Sequence, residues 1–459
     1  MRRFAVLLLA GAPALLHAQG FAVNEHNTCT MGRAGAVVAS PCADGSALFY
    51  NPAGLTALSG THIAIGGTLI LPFGNFTRDP SAGGGTIDIP SQSYPVPSVA
   101  ITHSLSSRIG VGVGLFFPYG LGTKWCSDVS GSCVNPLAGF EGRFSGYNTS
   151  LRSMYIQPTI GVKIRNNLSV GGGVDYIHST VELHQRGDLS GVAVAPGVTF
   201  GQLGIPAYTD FVDAVLKASG NGVAFHFGAQ WQATSKLGFG FRYLSQRRIK
   251  YDGTANFTQI LTGLILPPGN PINPGTPIPI DNAIVAPLFL TGGPLSDQAA
   301  TTEVTMPMQI VFGLAWKVRP DLTLNADYQQ IRFGVFDKLI LDFANAATAD
   351  QTLLEYYRAS HGIRLGTEYV RNAKLTLRGG YLYHSAAAPS ATVTPLLPEG
   401  ERNEFTLGAG YSLTSKLHGD VAYQYIKQSD RRGRLIGGPN TGLYTFGANL
   451  LGASLSFTF

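Results

Sequence analysis

Four cysteines fall as two local pairs, Cys29 with Cys42 and Cys126 with Cys133. Such pairs suit disulfides made in an oxidising compartment, each closing a short loop. A zinc site would want a C-x2-C spacing or paired histidines nearby, and the sequence has neither, so no metal is expected. A second chemistry belongs to the cations Lys163, Arg242, Lys317, Arg364 and Arg378, any of which could hold a carboxylate by charge-assisted hydrogen bonds. The acids Asp175, Asp327, Glu368 and Asp420 lie in similar segments, which leaves ion pairing as the other use for those cations. Catalysis has little to build on. There is no H-E-x-x-H, G-x-S-x-G or P-loop, and Gly110-Val111-Gly112-Val113-Gly114 lacks the following helix that a dinucleotide site needs. A barrel phospholipase would need Ser and His together on its outer face, where His103 stands isolated. No catalytic residue and no cofactor are therefore expected.

Composition says what kind of frame must carry these groups. Of 459 residues 44% are hydrophobic, yet only 13% are charged, about half the roughly 25% usual for a soluble domain. Glycine contributes 58 residues and aromatics 10%, which excludes disorder and a Glu/Lys/Leu coiled coil. A helical membrane protein would show apolar runs of about 18 residues or more, and beyond the N-terminus none is free of charge, proline or glycine clusters.

Arg2 and Arg3 precede the apolar run Phe4 to Leu16, which closes on Leu16-His17-Ala18, the layout of a secretory signal peptide over residues 1–18. Removing its two arginines lowers the formal net charge from +5 to +3, too little and too dispersed to point to nucleic acid.

From Ser153 onward, segments of about ten residues alternate apolar with small or polar side chains, the periodicity of strands. Met154, Ile156, Ile160, Val162 and Ile164 share one face, and Leu237, Phe239, Phe241 and Tyr243 repeat the pattern. Eleven such segments, with weaker ones near 61–71, 97–105 and 109–117, make fourteen strands. Tight polar turns (Ser106-Ser107, Arg165-Asn166-Asn167, Thr234-Ser235-Lys236, Arg319-Pro320-Asp321, Arg371-Asn372-Ala373, Thr414-Ser415) alternate with long loops. An even strand number with short turns at one end and long loops at the other is the layout of an all-β, antiparallel outer-membrane barrel, which also satisfies every backbone group in lipid. The strand charges fall opposite the apolar stripe, as in a polar lumen, and Trp231, Tyr243, Trp316, Tyr328, Tyr381 and Tyr423 lie near strand ends, where interfacial girdles form.

Residues 19–58 carry no sustained alternation and are sized to fold inside the lumen of the 59–459 barrel as a plug. That segment ends Phe49-Tyr50-Asn51-Pro52-Ala53-Gly54-Leu55. With Phe117-Pro118-Tyr119-Gly120-Leu121-Gly122-Thr123-Lys124-Trp125, Gly142-Arg143-Phe144, Leu168-Ser169-Val170-Gly171-Gly172-Gly173-Val174-Asp175-Tyr176, Gly240-Phe241-Arg242-Tyr243-Leu244-Ser245, Leu377-Arg378-Gly379-Gly380-Tyr381 and Pro398-Glu399-Gly400-Glu401-Arg402, it resembles FadL-type outer-membrane transporters of long-chain fatty acids and other hydrophobic compounds (OmpP1/FadL/TodX). The resemblance covers nearly the whole mature chain, and the motifs gain specificity from their order.

The resemblance implies a fourteen-stranded barrel whose N-terminal hatch plugs the lumen, with a kink in the third strand opening a side window by which apolar solute leaves into the bilayer. It assigns Asn51, Pro52, Ala53 and Gly54 to the hatch tip beside that window and Gly110, Gly112 and Gly114 to the kinked strand. Uptake of fatty acids or aromatic hydrocarbons is then passive; the alternatives are a general diffusion porin or, further off, the phospholipase. The long apolar, proline-rich segment 257–295 suits capture of greasy molecules, and Tyr208 to Ala218 reads as a short helix with Phe211, Val212, Val215 and Leu216 on one side. Candidate ligand contacts are Phe21, Phe211, Val215, Leu264 and Phe289, with Arg242, Arg364, Arg378 and Lys317 for a head group. Expected partners are the hydrophobic ligand, outer-membrane lipid and lipopolysaccharide, and the barrel-assembly machinery reading the C-terminal Phe459, with the chain a monomer and no nucleic acid bound.

Overall fold

The computed structural model describes residues 20–125, 140–270, 272–433 and 442–459. The signal-peptide reading and the Cys126–Cys133 pairing lie outside the described residues.

Alternation folds as expected, into a closed antiparallel barrel of fourteen strands. In chain order these are β1 Thr61–Arg78, β2 Tyr94–Ser106, β3 Ile109–Lys124, β4 Asn148–Arg165, β5 Leu168–Asp188 and β6 Asp210–Gln232. Four interrupted strands follow: β7 (Leu237–Leu244, Arg247–Gln259), β8 (Gln298–Met306, Gln309–Arg319), β9 (Leu322–Ile331, Lys338–Phe343) and β10 (Gln351–Leu354, Ser360–Val370). The last are β11 Leu375–His384, β12 Arg402–Ser412, β13 Leu417–Gln428 and β14 Gly442–Thr458, which pairs back onto β1 from His62↔Thr458 to Arg78↔Gly442. All six polar turns join adjacent strands. Closure leaves no edge, so every strand finds hydrogen-bond partners within the protein.

The faces sort by solvent. Ile65, Val174, Phe225, Trp231, Phe312, Trp316, Leu407, Val421 and Leu451 are all exposed on the outside, whereas Asp175, Arg242, Asp327, Arg364 and Asp420 are buried within. A water-soluble barrel would have these sets exchanged. With their bulk on the outside, these apolar groups contribute to stability only against lipid.

One local expectation fails. Residues 210–218 are not a helix but the first part of β6, paired with β5 as Arg186↔Asp213, Leu183↔Leu216 and Val181↔Ala218. The helical spacing of Phe211, Val215 and Leu216 is real, yet the neighbouring strand offers a full ladder of backbone bonds, and Asp213 and Asp210 are held by Arg186 and Arg143. Tertiary pairing overrides local propensity here. Several strands also exceed ten residues, β6 reaching 23, because the wall continues above the apolar belt.

Residues 20–58 lie within the barrel, almost wholly buried. Asn27 caps a short helix (α1, Thr28–Gly32) by accepting from Thr30 N–H at 2.9 Å. A second helical turn (α2, Ala47–Tyr50) leads to the 3-10 turn Pro52–Ala57, capped by Asn51 and started by Pro52, whose missing N–H costs nothing at that position.

Candidate functional site

The turn end of the lumen is lined by glycine, and the reason is the N-terminal segment. A β-carbon added at Gly161 or Gly171 would stand 2.8 or 2.6 Å from Pro52, one at Gly110 2.7 Å from the Leu55 carbonyl, and one at Gly380 2.7 Å from the Ala34 β-carbon. Gly228 meets Asn51 and Pro52 in the same way, and Gly240 meets the Val38 carbonyl. A bare wall lets one backbone press on another, a use of glycine that periodicity cannot distinguish from a small lumen residue.

Polar groups then fix the segment. Asp327 accepts the Val37 and Val38 N–H groups at 2.9 and 3.0 Å. Arg242 donates to the Phe49 carbonyl at 2.6 Å and to Gln309 at 3.0 Å while its guanidinium covers the Phe49 ring at 4.0 Å. Arg364 reaches the Gly35 carbonyl and bonds Gln329. Asn51 donates to the Val38 and Ala229 carbonyls at 2.7 and 3.0 Å, joining the segment to itself and to β6. The sulfurs of Cys29 and Cys42 are bonded, and Arg33 lies over Cys42 with Nη2 at 2.8 Å. Burial lowers the Arg33 pKa against the raising influence of Glu368, and it lowers that of His26 to about 3, with Arg242 adding to the fall. His26 is thus a neutral ring in an aromatic box, 4.5 Å from Phe49 and 6.0 Å from Phe116.

The loop half of the lumen is different in kind. Tyr119, Tyr155, Ile177, Leu244, Ile249, Tyr251, Met306, Ile331 and Phe333 point inward with Phe21 and are fully buried. Phe21 meets Phe333 and Phe336 edge-on at 5.0 and 5.5 Å and Tyr119 at 6.1 Å.

The third strand is regular at its glycines. Gly110, Gly112 and Gly114 pair regularly with Ser104, Thr102 and Ala100 of β2, and their small size serves contacts with Leu48 and Leu55. The irregularity falls just beyond, where the β3–β4 register shifts between Phe116 and Tyr119 and the β2–β3 ladder ends at Val99↔Leu115. Pro118, lacking an N–H, marks the place. There β3 takes a new partner: Val23 N–H donates to the Pro118 carbonyl at 3.0 Å and Gly120 N–H to the Phe21 carbonyl at 2.9 Å. A cavity of about 170 Å³ opens beside this stretch, lined by Ala22, Ile70, Gly120, Gly122, Phe446 and others. Asn51, Pro52 and Ala53 do not flank it; they sit against Gly161, Gly171 and Gly228 on β4, β5 and β6. The conformation that Asn-Pro imposes served docking at the lumen wall, which a single strand's sequence cannot reveal.

The nine candidate ligand contacts do not form one site. Phe211, Leu264 and Phe289 gather in an apolar cluster of the long loops with Phe200, Leu266 and Ile280. Val215 lies apart in a small recess with Leu183, Phe257 and Leu341, and Phe21 is in the lumen. Arg242 and Arg364 hold the N-terminal segment, and Arg378 is taken by Glu368 at 2.8 Å and by Asp420. Lys317 faces a turn-end cavity of about 640 Å³ with Lys163 and Lys236.

Sequence reasoning missed Arg186. Its side chain is buried, its Nε pairs with Asp213 at 3.2 Å, its guanidinium lies 5.3 Å from the Tyr147 ring, and among the described residues Nη1 and Nη2 have no hydrogen-bond partner. A buried cation with two open donors is costly unless something else fills them. Nothing in the local sequence, His184-Gln185-Arg186-Gly187, signals this.

Comparison with known proteins agrees with the fold. Residues 9–459 match the family described as "Outer membrane protein transport protein (OMPP1/FadL/TodX)". The "Long-chain fatty acid transport protein" of Salmonella typhi is 22% identical over 91% of this chain and 90% of its own. Among solved structures, a Pseudomonas aeruginosa FadL homologue superposes with a TM-score of 0.78 at 20% identity, covering 96% of this chain and 100% of that one. The P. putida toluene transporter TodX gives 0.70 at 16% identity, over 95% and 99%. With the match running nearly end to end on a lipid-facing barrel, the chain belongs to the OMPP1/FadL/TodX family of outer-membrane transport proteins.

Proposed function

We propose that the protein carries hydrophobic small molecules, long-chain fatty acids or aromatic hydrocarbons, passively across the outer membrane, with residues 20–58 as the hatch and the parting of β2 from β3 as the lateral exit. The observation that carries this reading is the end of the β2–β3 ladder at Val99↔Leu115, in a wall whose outer side is apolar and whose inner side adjoins the aromatic half of the lumen. Each methylene exposed to water costs about 0.8 kcal/mol, so a sideways exit into lipid is the cheaper route for an alkyl chain. A general diffusion porin fits less well, because the N-terminal segment fills its bore.

Arg186 favours a carboxylate-bearing solute over a bare hydrocarbon. Its Nη1 and Nη2, unpartnered among the described residues, stand at the loop end beside the aromatic cluster, where a fatty acid head group would be held while the tail lies among the rings.

The test is uptake of labelled oleate and toluene by cells with and without the protein, in parallel with a variant in which Phe116-Phe117-Pro118 is replaced by a regular strand sequence. The expected result is protein-dependent uptake, insensitive to an uncoupler and lost in the variant; equal uptake by cells lacking the protein refutes the reading. Arg186→Gln should weaken the concentration dependence for oleate about tenfold, the worth of one charge-assisted bond, and leave toluene alone.

A further inference from the structure

The barrel wall parts a second time, between β8 and β9. At the loop end Ala300–Thr302 pair with Leu341–Phe343, and at the turn end Gln309 pairs with Ile331. Between these ladders Glu303–Met308 lie opposite the longer segment Arg332–Ile340, which folds into a 3-10 turn at Phe333–Val335 instead of continuing the strand. A cavity of about 590 Å³ opens on the outer face at this point, its lining including Arg248, Lys250, Val335, Phe336 and Ile340.

Height and connection give the cavity a use. Turn-ward of it the outer surface is apolar and aromatic, with Phe312 54% and Tyr328 42% exposed. At the gap itself the outward side chains are charged: Arg248 pairs with Glu303 and Lys250 with Asp252, while Asp337, Lys338 and Asp342 stand on the other rim. That change of character marks the lipid head-group level. Inward, Phe336 is 5.5 Å from Phe21, Phe333 is 5.0 Å from it, and Phe21 in turn touches Tyr119 at the bend of β3. Aromatic contacts thus run from the outer cavity, across the lumen, to the first parting of the wall.

We propose that the β8–β9 gap is a side port through which a single-chain carboxylate amphiphile already dissolved in the outer leaflet enters the lumen. The proposal rests on the uptake reading above and adds a source for the solute. The head group travels along the charged rim, where exposed Lys338 forms no ion pair among the described residues, and the tail passes Val335 and Ile340 to Phe336 and Phe21. A tail that moves from lipid onto these side chains never crosses water, which a loop-end entry would require. Phe333 and Phe336 fill the opening in the present structure and must turn aside for passage.

The experiment uses the full chain in vesicles of outer-membrane lipid, loaded with a fatty acid bearing a mid-chain diazirine. Photolabel is expected on residues 335–340 and is expected to be lost in the double variant Val335→Asp/Ile340→Asp, whose positions are 36% and 39% exposed, so folding is retained. The same variant should slow transfer of vesicle-borne oleate about tenfold, the equivalent of losing roughly two methylenes of apolar contact, and leave water-delivered toluene unchanged. Absence of label on 335–340, or oleate transfer equal to wild type, overturns the port. If wild-type protein moves neither solute, the uptake reading fails, and the labelling result alone decides whether the port binds.

Discussion

The two halves of the lumen are built from the same fourteen strands and differ in one respect, what stands on the inward positions. Toward the turns these are glycine and buried charge, and residues 20–58 fit against them backbone to backbone. Toward the loops tyrosine, isoleucine, leucine and methionine predominate, packed with Phe21 into one buried apolar cluster. Where its ladders run unbroken, a barrel wall satisfies its own backbone hydrogen bonds and is indifferent to its inward residues. The inward face can therefore differ in character along its length, seating residues 20–58 at one end and, on the function proposed above, meeting the solute at the other.

That contrast is open to being broken, and the largest effect should come from the glycine half. Gly228→Leu places side chain where Asn51 and Pro52 lie, and overpacking of this kind costs about 1–3 kcal/mol or more. Hydrogen exchange over residues 28–57 should rise sharply and single-channel conductance should appear; an unchanged closed state would show that the segment is not seated on the glycines. Asp327→Asn removes a carboxylate that accepts two backbone N–H groups, with an expected loss near 2 kcal/mol, read as faster exchange at Val37 and Val38 than at Leu48. Loss spread evenly over the segment would argue against Asp327 as a local clamp.

In the aromatic half, Phe21→Leu keeps volume nearly constant and gives up edge-on ring contacts of about 0.5–1.5 kcal/mol. It should alter solute affinity while exchange over 28–57 stays as in wild type. A further effect concerns pH. His26 in the seated segment has its pKa lowered to about 3 from 6.5, so the released segment binds a proton that the seated one refuses. Seating by this group is complete above about pH 6.5 and weakens as pH falls toward 3, by up to about 1.4 kcal/mol per unit. Glu25 opposes it: burial, then Glu404, raises its pKa, so its contribution is fully present below 4.5 and is lost as pH rises. His26→Phe should remove the first slope, measured by exchange from pH 7 to 5; an unaltered slope would assign it elsewhere.

Much of the barrel was legible because strand periodicity is a local property. Ile160, Phe225 and Leu407 alternate with small or polar neighbours, and nothing farther away is needed to see which face meets lipid. The buried placement of Asp175, Arg242 and Asp327 follows from the same count of two. The site was less legible. The sequence offers Arg242 and Arg364 either to a head group or to lumen ion pairs, and the use they find, gripping Phe49 and Gly35, depends on a segment some two hundred or more residues distant. Arg186 carried no local mark at all.

The sequence by itself determined that this chain makes an inverted barrel, because alternation and turn chemistry act between residues a few places apart. Tertiary structure alone decided where the strand ladders break, which glycines receive the N-terminal segment, and that Asp210–Ala218 continues a strand. Each of those outcomes depends on which residues become neighbours across strands, and a ladder of backbone bonds or a close backbone approach outweighs the preferences of the residues that make it.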